Sequence, residues 1–374
     1  MYKYFWVSFF ALFLLTNSEI AAKDMERELQ RPFTITTFPS SLIEENEELK
    51  KRNVYRPMAT ISIAPTTYNS TETTITTVER KDENANQIDY HIWRTADSPL
   101  TMKKFTSTDK ERNFSFLFDT SEFLAQRGEY QVEAYMVDEQ GIEKLIAQNT
   151  FCFEQSVPIL MYHAIDEFKG KGLQGLFVSP ANFEAQMRYL KENKYTLLTF
   201  EQWDERNKVN KPILVTFDDG MKNNMNALRI LQALEDEKFL PRATEFVVAN
   251  RIDTSPYWLS SEDIKEMVSS GIFSIQSHTL THADLPIISN FDNELNASKQ
   301  KIENLTGYPV MAIAYPAGQF NNKVVEETRK HYTFAVTTKS GQFISKDQPN
   351  ELLLLRRVRI SNETTLRQFA WLVH

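Results

Sequence analysis

Cysteine is almost missing from this chain of 374 residues: Cys152 stands alone, so no disulfide can form within the molecule. Positive charge in excess is missing too. The net charge is -8 and no Lys/Arg cluster of the kind that tracks phosphates occurs, which excludes a nucleic-acid partner and favours a neutral or cationic one. Apolar runs of membrane-spanning length are also missing: the longest, Tyr4 to Leu15, is about 12 residues against the ~20 a transmembrane helix needs. With 41% hydrophobic and 25% charged residues, neither general disorder nor a multi-span membrane protein fits.

The N-terminus, MYKYFWVSFFALFLLTNSEIAAKDMERE, places one early lysine before that apolar run and small and polar residues after it. This is the pattern of a secretory signal cleaved after Ala22, or of a signal anchor kept in place. No cysteine follows the run, which excludes a lipoprotein anchor. An exported, acidic chain without disulfides suits the surface of a Gram-positive bacterium, where its Asn-x-Ser/Thr sequons would carry no glycan. The protein is expected outside the cell or at its surface, as a monomer, touching a membrane only through an uncleaved N-terminal segment.

Residues 23–57 are charged and mostly aperiodic and read as a linker. Residues 58–154 hold short alternating segments, MATISIAP, TTITTVER, IDYHIWRT, NFSFLFDT, EYQVEAYMV and KLIAQNTFCFE, separated by turn residues. Period-two alternation predicts a small all-β sandwich of roughly seven strands, with His91 an ordinary strand histidine. From residue 155 to the C-terminus, strands alternate with helices. VPILMYHAI, YTLLTF, PILVTFDD, ATEFVVAN, FSIQSH, VMAIAYPAG, FAVTT and LLLLRRVRI read as strands, and five amphipathic segments between them read as helices. The fold class is therefore α/β, with a (β/α) barrel as the economical closure of a parallel sheet.

In such barrels chemistry sits at the carboxyl ends of the strands. Every notable polar residue falls there: His163 after VPILMY, Asp218 and Asp219 after PILVTF, His278 and His282 after FSIQS, and Tyr315 to Gly318 after VMAIA. His278 and His282 are two of only six histidines in the chain. If their segment made a helical turn, i and i+4 would share a face and could meet one metal ion. A catalytic zinc-type site needs a third protein ligand, and Asp219 is the nearest carboxylate on the rim. Asp218 would then take the proton of a water activated by the cation. Neighbouring strand residues point to opposite faces, so both aspartates can serve one site only if the backbone turns there, which Gly220 would allow. Taken singly, Asp-Asp-Gly also fits a turn or helix cap, and His-x3-His is weak evidence.

TFDDG and HTLTH, preceded by PILMYHAI and followed by AYPAG, resemble the motifs of the polysaccharide deacetylase family, the NodB-homology or carbohydrate esterase family four, over residues 155–374. The resemblance implies a distorted (β/α) barrel and metal-dependent removal of acetyl groups from N-acetylated sugars. It places Asp218 as catalytic base and Asp219, His278 and His282 as metal ligands. Zinc is the first expectation, with cobalt, nickel or manganese also compatible with two imidazoles and a carboxylate. AYPAG matches the motif whose backbone lies against the reacting carbonyl, so Tyr315 and the Ala317 N–H are expected at the substrate. The stretch GEYQVEAYMVDEQGIEKLIAQNTFCFE resembles an immunoglobulin-like repeat of streptococcal surface proteins, the group B streptococcal Bsp-like domain, which implies a spacer or adhesion module.

Two departures stand out. Ala314 occupies the position where many members carry the arginine that orients the base, and the cluster Arg356, Arg357 and Arg359 could replace it; Arg357 and Arg359 are the candidates. The late Leu-x-x-His motif is absent, His374 is the terminal residue and His331 reads as a helix-end residue. His163 is then the expected general acid for the leaving amine. The expected partner is an N-acetylglucosamine-containing cell-envelope glycan: a surface polysaccharide, a wall-polysaccharide linkage unit or peptidoglycan. Rim aromatics including Tyr162, Phe217, Tyr257 and Trp258 could stack on sugars. An O-acetyl esterase on the same fold, or an adhesion or scaffold protein with a glycan-binding barrel, are the alternatives.

Overall fold

A computed structural model describes residues 58–81 and 85–374. The expected export signal (1–22) and linker (23–57) lie outside the described residues. Among the described residues no helix is long and apolar enough to cross a membrane.

The N-terminal part carries seven strands: β1 (Thr60–Ile63), β2 (Glu72–Val78), β3 (Gln87–Arg94), β4 (Lys103–Ser107), β5 (Phe116–Asp119), β6 (Gly128–Val137) and β7 (Glu143–Phe153). They form two antiparallel sheets, β1-β2-β5 and β4-β3-β6-β7. Alternate residues, among them Ile75, Tyr90, Phe118, Tyr130 and Phe153, point into one shared core. Strand β4 is invisible to a search for alternation, because KKFTS is an edge strand on which only Ser107 is buried. Charge on an edge strand is expected, since it discourages pairing with other chains.

The larger part contains β8 (Ile159–Tyr162), β9 (Ala164–Ile165), β10 (Phe177–Val178), α1 (Pro180–Glu192), β11 (Thr196–Leu198), β12 (Pro212–Asp219), α2 (Met225–Leu234), β13 (Ala243–Val247), α3 (Ser261–Ser269), β14 (Phe273–Ser277), α4 (Phe291–Thr306), β15 (Ala312–Ala314), α5 (Asn322–Arg329), β16 (Phe334–Ser340), β17 (Leu355–Arg359) and α6 (Leu366–Val373). Strands β12-β13-β14-β15-β16-β17-β8 pair in parallel, and β8 pairs again with β12, so seven strands close a barrel. β11 pairs with the first residues of β12 and stands outside the ring. The eight long strand segments expected from sequence all appear. Helix α6, whose sequence LRQFAWLV follows the last strand, was not anticipated; a Thr365–Gln368 capping box starts it. The helices show local logic elsewhere too: α4 begins on the Asn290 side chain and ends on Gly307 at φ 75°.

Two apolar layers fix which way each strand residue points. Ile159, Leu214, Phe246, Ala312, Ala314, Val336 and Leu355, from six different barrel strands, pack together in the interior with Phe200 and Trp203. Their strand neighbours Leu160, Ile213, Val215, Val247, Ile313, Ala335 and Val358 pack instead with the helices. Strands buried on both faces read as continuous apolar runs, as they do here. Continuing the alternation, Thr216, Asp218 and Arg357 face inward, whereas Tyr162, Phe217 and Tyr315 belong to the helix-side layer.

The two parts are tied by polar contacts. Arg94 donates to Asn210 Oδ1 (2.8 Å), the Glu129 N–H donates to Asn207 O (2.7 Å), and Arg206 pairs with Glu154 (3.4 Å). Gly128 sits in this seam at φ 122°, and a Cβ there would lie 2.8 Å from the Asn207 carbonyl oxygen. Gly128→Ala is therefore expected to destabilise the protein by about 1–3 kcal/mol, read from chemical denaturation; an unchanged midpoint would show that the seam yields.

Candidate active site

The carboxyl end of the barrel opens into a cavity of about 560 Å³ whose lining includes His163, Asp218, Asp219, His278, His282 and Ala317. That volume is within the ordinary range for ligand sites. Asp218 is the last inward-facing residue of β12. Arg357, reaching over from β17, donates from Nη1 to Oδ1 and from Nη2 to Oδ2, each at 2.7 Å. Its Nη1 also reaches Thr216 Oγ1 (3.2 Å) and its Nε donates to Thr337 O (2.9 Å). A register shift between β16 and β17 lies beside this residue, a device that re-aims side chains next to sites. Burial alone would raise the Asp218 pKa, but the charge and hydrogen bonds of Arg357 outweigh it and hold the carboxyl well below the usual carboxylate range.

Asp219 departs from the strand by its own conformation. Its φ is 79° and that of Gly220 is 72°, so the turn expected at Gly220 already begins one residue earlier. Two adjacent carboxylates thereby reach the same cavity. Asp219 Oδ1 faces His282 Nε2 at 3.7 Å and His278 Nε2 at 4.0 Å.

The segment carrying both histidines is not the helical turn considered from sequence. It is a loop with Thr279 at φ 66° and His282 at φ 65°. Buried Glu294 of α4 holds it, accepting from the Thr281 N–H (2.9 Å) and hydroxyl (2.7 Å). The two imidazoles meet edge to face, with ring centroids 4.8 Å apart. Burial and the neighbouring His278 lower the His282 pKa, which keeps its ring neutral.

One donor atom from each of Asp219, His278 and His282 lies within 4.8 Å of the others. Donors about 2.1 Å from a tetrahedral zinc would be roughly 3.4 Å apart, so small adjustments suffice to bind an ion. The hydrogen bonding of His278 suits this: Nδ1 lies 2.8 Å from the Ala314 carbonyl, which needs the proton there and leaves the Nε2 lone pair facing Asp219. The donor set fits a divalent cation.

The remaining sequence candidates divide. His163 Nε2 is 3.9 Å from Asp218 Oδ2, and burial lowers its pKa although the charge of Asp218 opposes the fall. Ala317 is exposed at the cavity in a left-handed conformation, φ 52°. Tyr315 lines the cavity too, while its ring packs into the helix layer, stacks on Phe320 and buries its hydroxyl beside Thr328. Arg359 needs correction as a base-orienting residue. It lies exposed on the cavity rim and is not bonded to Asp218, the role in space being taken by Arg357 alone. Arg356 turns to the Ser340 carbonyl. Tyr162 and Phe217 are buried in the helix-side core and cannot stack on a ligand.

Two residues near the site had not been singled out. Arg251 donates to Asp219 Oδ1 (3.2 Å) while its guanidinium lies 4.3 Å from the Trp258 ring centre. Glu245, fully buried on β13, accepts from Asn224 Nδ2 at 3.0 and 3.1 Å. Burial first, with Asp218 and Asp219 adding to it, raises its pKa well above the usual range. A carboxyl within the otherwise apolar strand ATEFV was the available signal.

Comparison with known proteins bears on this geometry. The sequence profile of the family described as polysaccharide deacetylase matches residues 205–335, a span that holds Asp218, Asp219, His278 and His282. YxkH of Bacillus subtilis (strain 168), named for the polysaccharide deacetylases, is 33% identical over 214 residues, covering 55% of this chain and 71% of YxkH. The chain belongs to the polysaccharide deacetylase family. Among solved members, BC0361 from Bacillus cereus, a polysaccharide deacetylase, is 55% identical, with a TM-score of 0.83 over 85% of this chain and all of that one. This coverage exceeds the barrel, so that member shares the strand-rich N-terminal part. The Streptococcus pyogenes deacetylase PplD, solved in complex with acetate, is 28% identical, with a TM-score of 0.53 over 59% of this chain and 99% of its own. His163 and Arg357 lie outside the matched span.

Arg357→Met strands a buried charge and is expected to cost about 3–5 kcal/mol at neutral pH. The Asp218 pKa is lower folded than its unfolded value of about 3.9, so the pair stabilises above that value and its contribution is lost as pH falls through the folded pKa. In the variant, burial raises that pKa instead, so the deficit must shrink on acidification. Denaturation midpoints of both proteins across pH check this; a deficit independent of pH contradicts it.

Proposed function

We propose that this chain is a divalent-metal-dependent hydrolase that removes N-acetyl groups from N-acetylglucosamine residues of a bacterial cell-envelope polysaccharide. The observation that carries the reading is the convergence of Asp219, His278 and His282 beside an Asp218 kept ionised by Arg357, in an open cavity of a polysaccharide deacetylase barrel. Zinc suits the two imidazoles and one carboxylate, and cobalt, nickel or manganese are compatible with them. When bound, the cation polarises the acetyl carbonyl and acidifies a water.

The chain's own residues supply the rest. Asp218, fixed in orientation by the two hydrogen bonds from Arg357, accepts the proton of the attacking water. The Ala317 N–H, presented by its left-handed turn, stabilises the oxyanion. His163 carries a proton to the departing amine. Burial leaves its ring neutral beforehand, so the proton it delivers is the one Asp218 has taken, from a carboxylate oxygen 3.9 Å away. Closing that gap by about 1 Å gives an ordinary hydrogen bond.

Export and surface attachment through the segment before residue 58 remain part of the proposal, supported by the apolar run at residues 4–15. So does an immunoglobulin-like module over residues 58–154, supported by facing antiparallel sheets of three and four strands.

The test is acetate release by zinc- or cobalt-loaded protein from cell-wall material fractionated into peptidoglycan, linkage units and free polysaccharide. Release from at least one fraction is expected, falling about 10²–10⁴-fold in Asp218→Asn and in His163→Ala with metal content unchanged. Wild type that releases no acetate from any fraction refutes the reading; a His163→Ala protein with normal turnover removes the relay.

A further inference from the structure

Strand β13 carries a carboxyl among apolar neighbours. Ala243 and Val247, on either side of Glu245 at alternate positions, belong to the helix-side layer, so Glu245 points toward the helices as they do. Across the sheet it stands between Phe217 of β12 and Ile275 of β14, both members of that layer. It is fully buried, and no lysine or arginine bonds it among the described residues. An apolar side chain would fill this position without the cost of desolvating a carboxyl.

The contacts of the carboxyl account for its presence. Both oxygens accept from Asn224 Nδ2, and the Gly220 N–H bonds it as well. Strand β12 keeps register with β13 only as far as Asp219, opposite Val247. Asp219 at φ 79° and Gly220 at φ 72° then turn the chain away, and the carboxyl gives the buried N–H beyond the ladder an acceptor.

Asn224 is diverted in the same direction. It stands at the N-cap of α2, where an asparagine side chain ordinarily accepts from the first N–H groups of the helix, yet it makes no such cap. Its side chain is buried and donates to Glu245 instead, leaving Oδ1 without a partner. A forgone cap and a buried carboxyl thus break two local rules at one place, the helix side of the Asp219–Gly220 turn, and such breaches concentrate where function requires them.

We propose that Glu245 and Asn224 are a positioning pair that holds this turn in the left-handed shape aiming the Asp219 carboxylate at His278 and His282. Neither is a ligand; the pair acts through the backbone of the turn. Positive φ strains an aspartate, and a turn freed from the pair can relax toward extended strand. Asp219 would then point to the opposite face from Asp218 and leave the imidazoles without their carboxylate. The inference rests on the reading of Asp219, His278 and His282 as a metal site.

Cobalt(II) titrated into the full chain tests it, through the dissociation constant and the visible absorption of the bound ion, with acetate release followed in the same samples. Asn224→Leu/Glu245→Met removes both polar partners together and keeps their size, so the fold is expected to hold, with a metal-free thermal midpoint at or above that of wild type. Its cobalt affinity should fall about 10- to 100-fold and its absorption should shift. Glu245→Gln keeps an acceptor oxygen at the turn and should stay within about threefold of wild type. Unchanged affinity and absorption in the double variant overturn the proposal, and so does a double variant that no longer folds, because the pair then serves the fold and not the site. Glu245→Gln binding as weakly as the double variant overturns it too. Cobalt affinity that depends on the pair without any acetate release upholds the positioning and refutes the deacetylase reading, whereas wild type that binds no cobalt refutes both.

Discussion

The buried ion pair between Arg357 and Asp218 is the contact on which the rest of the site depends. Both side chains are almost without solvent, and bringing either charge into the barrel alone would cost several kcal/mol. Two parallel hydrogen bonds compensate each charge, and Thr216 and the Thr337 carbonyl take up further donors of the guanidinium. The pair connects β12 with β17, the two strands that flank β8 in the closed ring. It therefore assigns Asp218 to an arginine, and the neighbouring carboxylate of Asp219 is left to the imidazoles.

Strand alternation and a few left-handed residues do the remaining placement. Inward positions on the strands deliver Asp218 and Arg357 to the barrel mouth, and outward positions bury Tyr162, Phe217 and Tyr315 against helices. Where a strand ends, Asp219, His282 and Ala317 each adopt positive φ, a conformation that costs a non-glycine residue energy and that concentrates at functional sites. Surrounding hydrogen bonds hold these turns: Glu294 fixes the histidine loop, and Asn224 donates to Glu245 on the strand paired with the one that ends at Asp219. Gly318, at φ 70°, lies so close to Thr338 that a Cβ would be 2.0 Å from its Oγ1, which fixes the turn carrying Ala317 against β16.

Much of this was legible from sequence, and for identifiable reasons. Continuous apolar runs between amphipathic segments announced the barrel strands, and motif residues at their carboxyl ends announced the rim. Strand β4 was missed because its residues are mostly polar, and α6 because it lies beyond the last strand. The positive φ of Asp219 could not be read from an Asp-Asp-Gly in which glycine seemed sufficient. Three arginines within four residues were equivalent on paper; in the strand, alternation from inward Leu355 turns Arg357 into the barrel and Arg356 out, and Arg359 lies exposed at the rim. Arg251 reaches Asp219 from a loop 32 residues away, a contact that no local pattern encodes.

In the proposed mechanism the adjacent aspartates divide the labour, Asp219 for the cation and Asp218 for the proton. Anomalous diffraction from crystals grown with zinc tests it most directly. One metal peak bonded to Asp219, His278 and His282 is expected, with Asp218 unligated and still paired to Arg357. A peak ligated by Asp218, or the Asp218–Arg357 pair broken on metal binding, would contradict it.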